Sequence, residues 1–366
     1  MPTVAEVPPS ATTPTQEAEP EPTRPPREEL RAPNGFKVGL VTDGGKIDSG
    51  GSSQPAYEAM LLAATEFDFT TAFIETVDRT QFTSNIQTLI DQECNVIVTT
   101  GLLITGATYD AAQNNPNLFF IGVDQSFSEP PPNLVGILYR EDQAGFLAGA
   151  LAGMMTESGV VGIVAGVDIP PMLKFRNGFN HGVRFVNPEA VALGVYIPTF
   201  ADAETGAATA RHFVTLGADV LFAVGGSTGQ GALEEAAREG AWVIGAEEDV
   251  YYTLFEGGAR PGADRLLSSM VKHIDLGVYA QIKEILQGSF AGGGHFFLDV
   301  SNGGITYGPF HQAEEQIPAA VKERLEEIRV ALADGSLKTG VDPASGAVIP
   351  SEVPQPEPFE QSRRTQ

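Results

Sequence analysis

Short apolar runs alternate with amphipathic segments over the first part of the chain. The predicted strands are residues 36–41, 70–75, 96–100, 118–123 and 134–138. The predicted helices between them are residues 54–67, 81–92 and 108–114. Strands that alternate with helices at this spacing are typical of βαβ units, so the pattern predicts a parallel α/β sheet.

The same alternation then starts again. The predicted helices of this second part are residues 146–156, 172–185, 205–216 and 229–239. Its predicted strands are residues 160–165, 190–198, 220–224 and 242–245. Beyond them we expect a long helix at 265–286, a strand at 295–300 and a last helix at 313–334. The late elements are too few for a third domain, so they should return to complete the two sheets.

This pattern predicts two α/β lobes that face one another across a cleft. We expect residues 35–140 with about 265–297 in the first lobe, and residues 141–264 with about 298–345 in the second. Ligands of open α/β sheets bind beyond the carboxyl ends of the strands, so the cleft should lie where the two sets of strand ends meet.

Both ends of the chain are rich in proline and polar residues. Residues 1–34 are predicted to be a disordered Pro/Glu-rich tether, and residues 346–366 a disordered tail. The start of the chain shows no signal-peptide order, and no apolar run is long enough to cross a membrane. A folded body between two such tails suits a protein displayed away from a surface.

Charge and cysteine content exclude several classes of function. The chain has 22 basic and 47 acidic residues, a formal charge of −25, which disfavours binding to nucleic acid. Its single cysteine, Cys94, allows no internal disulfide and no Cys-based zinc site. The five histidines have no metal-binding spacing. We therefore expect no metal, no cofactor and no catalytic residue.

Several residue types at predicted strand ends suit ligand binding. Acids follow strands at Asp43, Asp124 and Glu247, where they could accept hydrogen bonds from a ligand, act as a catalytic carboxylate pair, or cap the next helix. Gly225 and Gly226 open a glycine loop that lacks the Walker motif, and it suits a ligand site or a tight turn. Other candidates are the scarce cations Lys174 and Lys272, the latter placed in the long helix, and the aromatic residue Phe200.

In these stretches the chain resembles the basic membrane protein family, the substrate-binding lipoproteins of ABC importers that include purine nucleoside receptors. The matching stretches are residues 38–48, 54–57, 141–153, 168–182, 200–202, 217–229, 243–249 and 269–275. The resemblance implies two Rossmann-like lobes of the periplasmic-binding-protein type I, with a nucleoside held in the hinge cleft.

The resemblance also implies roles for single residues. Asp43 and Asp124 correspond to ligand-binding acids of the first lobe, and Phe200 corresponds to the aromatic that stacks on the base. Glu247 corresponds to the acid that binds ribose, and Lys272 to the lysine of the site.

Two departures from the family pattern affect the ligand. Ser52 and Ser53 stand where the family has a stacking Phe and an Asn, and the ribose Asp is lengthened to Glu247. A purine nucleoside is the leading prediction, while a free base, another nucleoside or a small sugar remain alternatives.

The predicted function is that of a monomeric, extracytoplasmic solute-binding protein without enzymatic activity. Its expected partners are a small-molecule ligand and an ABC permease, with membrane contact only through a lipid or N-terminal anchor. A nucleoside-cleaving enzyme is a weaker alternative, because no nucleophile–base pair is evident. A DNA-binding regulator of similar architecture is excluded by the acidic, Pro-rich start of the chain.

Overall fold

Two six-stranded sheets form the framework of the part of the chain that a computed structural model describes, residues 30–44, 47 and 52–360. The first sheet has the order β11-β5-β4-β3-β1-β2, and all its strand pairs are parallel. Its strands are β1 (Lys37–Thr42), β2 (Thr70–Ile74), β3 (Val96–Thr100), β4 (Phe119–Val123), β5 (Leu134–Tyr139) and β11 (Gly294–Leu298).

The second sheet repeats this arrangement with the order β12-β10-β9-β8-β6-β7. Its strands are β6 (Val160–Ala165), β7 (Val191–Tyr196), β8 (Val220–Val224), β9 (Trp242–Glu247), β10 (Leu266–Lys272) and β12 (Ile305–Tyr307). Only the β10–β12 pair is antiparallel among the pairs described. The predicted fold class, two α/β lobes with parallel sheets, is confirmed.

Helices cover the faces of these sheets. They are α1 (Ser53–Phe67), α2 (Phe82–Asp91), α3 (Thr105–Asn114), α4 (Glu141–Met155), α5 (Pro170–Val186), α6 (Ala203–Thr215), α7 (Gly226–Arg238), α8 (Val250–Thr253), α9 (Ile274–Gln287) and α10 (Ala319–Ala333). Each lobe has its own core of Val, Ile, Leu and Phe side chains. Among the residues described, no helix has the length and apolar content that a membrane crossing needs.

The predicted long helix at 265–286 is wrong over its first third. Residues Leu266–Lys272 form strand β10, in the interior of the second sheet, and helix α9 begins only at Ile274. Most of β10 is buried on both faces, so its apolar positions do not alternate and do not reveal a strand. Lys272 therefore lies at the carboxyl end of a strand. Residues 266–272, which the predicted boundary near 265 places in the first lobe, belong to the second sheet.

The chain crosses between the sheets three times, and the crossings are hydrogen-bonded to one another. They follow Tyr139, Lys272 and Leu298. Arg140 N donates to Leu298 O at 2.9 Å, and His273 N donates to Gly304 O at 3.0 Å. The three connections thus form one hinge beside strands β5 and β10.

Helix α4 leaves the hinge and is buried along its whole length. Its glycines let it approach α5 so closely that a Cβ at Gly149 would lie 2.1 Å from Phe179 O, and one at Gly182 would lie 2.0 Å from Phe146 O. Both obstacles are backbone atoms, which cannot rotate away. The small residues of α4 are therefore required by the packing of the two helices.

Substituting Gly149 by Ala should lower the free energy of unfolding by about 1–3 kcal/mol, because the methyl group forces the two helices apart. Urea denaturation would measure the change. Gly106→Ala in α3 is the matched control, since a Cβ there meets no atom within 4 Å. An unchanged midpoint for Gly149→Ala would show that the two helices are not packed this tightly.

The described part of the predicted tail, residues 346–360, is folded against helix α5. Glu357 N donates to Phe185 O and Phe359 N to Val186 O, both at 2.7 Å, and Asn177 Nδ2 donates to Gly346 O at 2.7 Å. The prediction of disorder is wrong for these residues. The rest of the predicted tail, 361–366, and residues 1–29 of the predicted tether lie outside the described residues.

Candidate functional site

The carboxyl ends of the two sheets meet at an ion pair between Asp124 and Lys272. Lys272 Nζ lies 2.6 Å from Asp124 Oδ1 and 3.0 Å from Glu141 Oε1, and it lies 4.4 Å above the ring centroid of Tyr139. Asp124 follows β4 of the first sheet, whereas Lys272 ends β10 of the second. The structure thus brings together an acid that was predicted to follow a strand and a lysine that was predicted to lie in a helix.

The charge of Lys272 is held by its carboxylate neighbours. Its side chain is only 3% exposed. Burial alone would lower the pKa of the lysine, but the negative charges of Asp124, Glu141 and Glu247 outweigh burial and raise that pKa above its ordinary value. Lys272 is therefore a permanent cation inside an acidic site.

Asp124 and Glu247 occupy equivalent places in the two sheets. Asp124 follows β4, the third strand counted from the β11 edge of its sheet, and Glu247 ends β9, the third strand counted from the β12 edge. Both residues have a left-handed backbone, with φ of 59° and 72°. A non-glycine residue pays about 1–2 kcal/mol for this conformation. Such strain is typical of functional positions, because it aims a side chain that an unstrained backbone would direct elsewhere.

The carboxyl group of Glu247 is a weaker acid than usual. Burial raises its pKa, Lys272 opposes that rise, and the charges of Asp124 and Glu141 add to it. Glu247 is the last residue of β9, and its pKa responds to Lys272 and to Asp124, so it belongs to the same group of charges.

Asp43 directly follows strand β1 and packs on a glycine. Leu103 N donates to Asp43 Oδ2 at 3.2 Å. Gly101 has a φ of +94°, and a Cβ there would lie 2.0 Å from the same oxygen. Burial raises the pKa of Asp43 against the effect of the Leu103 hydrogen bond, and the charge of Asp124 raises it further. A substitution at Gly101 would displace the carboxylate.

Phe200 presents an aromatic ring beside the glycine loop that precedes α7. A Cβ at Gly166 would lie 2.4 Å from Phe200 Cδ1, and one at Gly225 would lie 3.2 Å from it. A Cβ at Gly226 would lie 2.6 Å from Phe200 O, and Thr228 N donates to that oxygen at 3.2 Å. The residue is 39% exposed, so one part of it is supported by glycines and another is open to contact.

The two serines of the altered motif have different environments. Ser53 Oγ shares a hydrogen bond of 2.8 Å with Thr100 Oγ1, and the residue is buried as the first residue of α1. Ser52 precedes the helix and is half-buried. Ser53 therefore serves the packing of α1 on β3, while the adjoining residues 45–46 and 48–51 lie outside the described part of the chain.

Sequence reasoning missed Glu141 as part of this cluster. Glu141 is 1% exposed, and its second oxygen forms an ion pair with Lys174, which is equally buried. Burial would raise the pKa of Glu141, but the two lysines lower it. The one sequence signal was the scarcity of cations, which had drawn attention to Lys174 without indicating its partner.

The chain is similar in sequence to a known protein family and to several of its named members. A family model described as Bmp, ABC transporter substrate-binding protein PnrA-like, matches residues 36–330. The CD4+ T-cell-stimulating antigen of Listeria monocytogenes is 27% identical over 84% of this chain and 89% of the relative. A Lactococcus lactis protein named ABC transporter nucleoside-binding protein BmpA is 24% identical over 82% of this chain and 88% of the relative.

The fold is also found among solved structures. A solute-binding protein of an ABC transporter system from Aeropyrum pernix superposes with a TM-score of 0.72 at 23% identity, covering 83% of this chain and 92% of the other. This likeness shows the fold alone. The match of the family model over most of the sequence shows more: the chain belongs to the Bmp family of PnrA-like ABC transporter substrate-binding proteins.

Proposed function

We propose that this protein is the extracytoplasmic receptor of an ABC importer and binds a nucleoside, with a purine nucleoside as the leading candidate, between its two lobes. The observation that carries the proposal is the Asp124–Lys272 contact, which joins the carboxyl ends of both sheets in one buried polar site. The Lactococcus lactis relative, named for nucleoside binding, supports the choice of ligand.

The site offers complementary groups for the two halves of a nucleoside. Glu247 and Lys272 provide an acceptor and a donor for the hydroxyl groups of a ribose. Phe200 provides a ring face for a base, and Asp43 an acceptor for base N–H groups. Asp124 accepts from Lys272 through Oδ1, so its Oδ2 can accept a hydrogen bond from the ligand.

The proposed role also implies the partners of the protein. Closure on the ligand would create the form that docks on a permease, as a monomer held near the membrane by a lipid or N-terminal anchor. Binding without chemistry suits a site whose one lysine is locked between carboxylates.

Calorimetric titration of the purified protein with inosine, adenosine, uridine, hypoxanthine and ribose would test the proposal. Mass spectrometry of small molecules released by denaturation would identify a retained ligand. We expect inosine or adenosine to bind most tightly. Tightest binding of uridine, hypoxanthine or ribose would replace the purine nucleoside by that ligand class, and no binding at all would overturn the nucleoside receptor. Free hypoxanthine formed from inosine would indicate an enzyme instead.

Nucleoside affinity should fall on acidification at a pH above the ordinary carboxylate range. The pKa of Glu247 is raised above its usual 4.5, and the protonated carboxyl loses acceptor capacity. The sign for unliganded stability is opposite: the folded protein binds this proton more tightly than the unfolded chain does, so stability declines as pH rises through the raised pKa.

Titrations from about pH 4.5 to about pH 8 would measure the affinity. Glu247→Gln is the control, and it should flatten the acid side of the profile, apart from the part that comes from Asp43, whose pKa is also raised. A variant profile identical to that of the wild type would remove Glu247 from the ligand site.

A further inference from the structure

A second buried ion pair lies directly behind Lys272. Glu141 is the first residue of α4 at the hinge, and Lys174 lies in α5. Glu141 bridges the two lysines, since Oε1 lies 3.0 Å from Lys272 Nζ and Oε2 pairs with Lys174. Lys174 Nζ also donates to Tyr139 O at 2.8 Å. Lys174, Glu141, Lys272 and Asp124 thus form one line of alternating charges, which runs from α5 past the hinge to the end of β4.

The arrangement restrains an otherwise flexible side chain. A lysine has a four-carbon stem and a point charge, so its ammonium group samples many positions unless its neighbours fix it. Here Asp124 and Glu141 contribute one oxygen contact each, and the ring centroid of Tyr139 lies 4.4 Å from the same nitrogen. An ammonium group has three N–H donors, and two carboxylates leave one of them for a ligand.

Stability alone is a poor reason for this pair. Removing two charges from water is costly, and apolar residues of similar volume often replace a buried ion pair without loss. Glu141 turns one oxygen to each lysine, and Lys174 contacts Glu141 and Tyr139 O. Lys272 is the member of this line that also contacts a strand-end acid, Asp124, so we expect the effect of Glu141 and Lys174 on binding to act through Lys272.

We propose that Glu141 and Lys174 are positioning residues that hold the ammonium group of Lys272 so that its remaining N–H meets a sugar hydroxyl of the ligand. The inference rests on the proposed nucleoside function. Lys174 fixes Glu141 against the hinge at Tyr139 O, and Glu141 in turn fixes Lys272. Affinity for the sugar half of the ligand is thus set by residues one layer behind the site.

Calorimetric titration of Glu141→Gln with inosine and with hypoxanthine tests this order of action. We expect the dissociation constant for inosine to rise about tenfold, which is the effect of losing roughly one charged hydrogen bond. Hypoxanthine, which lacks the sugar, should change less than twofold. A purely structural role would weaken both ligands by the same factor, and that result would overturn the inference.

A double-mutant cycle tests independently whether Glu141 acts through Lys272. Adding Glu141→Gln to Lys272→Met should change the inosine dissociation constant less than twofold, because the residue that Glu141 positions is already gone. If the two losses instead multiply, Glu141 does not act through Lys272. Failure of the wild type to bind inosine, adenosine or uridine would refute the proposed function itself, which separates the two failures.

Two further variants protect the test against misfolding. Glu141→Gln/Lys174→Met removes one charge of each sign, so no buried lysine is left without its partner, and it should show the same selective loss for inosine. Glu235→Gln breaks a more exposed pair with Arg211 between α6 and α7, and it should leave both dissociation constants unchanged. Equal losses for both ligands in the charge-neutral double variant would contradict the proposal.

Discussion

Replacing Lys272 by Met should weaken nucleoside binding strongly, to an affinity that titration of concentrated protein still measures, and should destabilise the unliganded fold. Three acids that act on Lys272, Asp124, Glu141 and Glu247, would remain, and Lys174 would still pair with Glu141. Breaking a buried ion pair from one side costs about 3–5 kcal/mol in free energy of unfolding. We expect at least a hundredfold loss of affinity, measured by calorimetry, and a lowered urea midpoint.

The pH dependence of this variant provides a specific signature. Without Lys272 the pKa of Glu247, which burial already raises, should rise further, and the lowered pKa of Glu141 should rise as well. At Glu247 the folded variant then takes up a proton more readily than the unfolded chain does. Its stability should therefore increase on mild acidification. Lys322→Met, which removes a more exposed ion pair with Glu314, is the control and should show neither effect. A Lys272→Met protein as stable as the wild type at neutral pH would contradict the described cluster.

Replacing Phe200 by Ala should weaken nucleoside binding about tenfold to a hundredfold while leaving the fold nearly as stable as before. Stacking of a base on an aromatic side chain contributes about 1–3 kcal/mol. The residue is 39% exposed in the unliganded protein, so removal of its ring leaves little cavity. Titration with inosine measures the loss, and ribose, which has no base to stack, should be unaffected.

Leu216→Ala is the matched control for this substitution. Leu216 lies at the end of α6 in the same lobe and is 51% exposed, so it removes a similar exposed apolar group away from the site. We expect it to bind inosine as the wild type does. Unchanged inosine binding by Phe200→Ala would mean that the ring does not contact the ligand.

Most of the fold follows from local pattern, and the exception has a clear cause. Strands such as Val96–Thr100 and Val220–Val224 are short, apolar and separated by amphipathic helices, so their type and order are readable. Strand Leu266–Lys272 has apolar residues at spacings that fit a helix equally well. This segment forms a strand because it pairs with β9, and a pattern within the segment cannot reveal that pairing.

The acids at the strand ends could be predicted from the sequence, whereas the buried pair behind them could not. Asp124 and Glu247 follow apolar strands, and strand ends converge, so their grouping follows from topology. Glu141 and Lys174 pair across two helices whose mutual approach depends on glycines in both. No local pattern specifies which helix a buried charge will meet.

The C-terminal segment shows how proline-rich sequence can be ordered. Prolines alternate with other residues at 354, 356 and 358, so the N–H groups of Glu357 and Phe359 remain able to donate to α5. Composition indicated disorder because it counts prolines without regard to which N–H groups are left.

The two ends of the described chain are fastened to different lobes. Ala32 N donates to Phe67 O at the end of α1, whereas Phe359 N donates to Val186 O at the end of α5. We expect a rotation of one lobe against the other to change the separation of these two points. Because Cys94 is buried and is the single cysteine of the sequence, cysteines introduced at residues 32 and 359 could carry a fluorescent donor and acceptor. Energy transfer between the two labels would then report any change in the distance between the lobes when ligand is added.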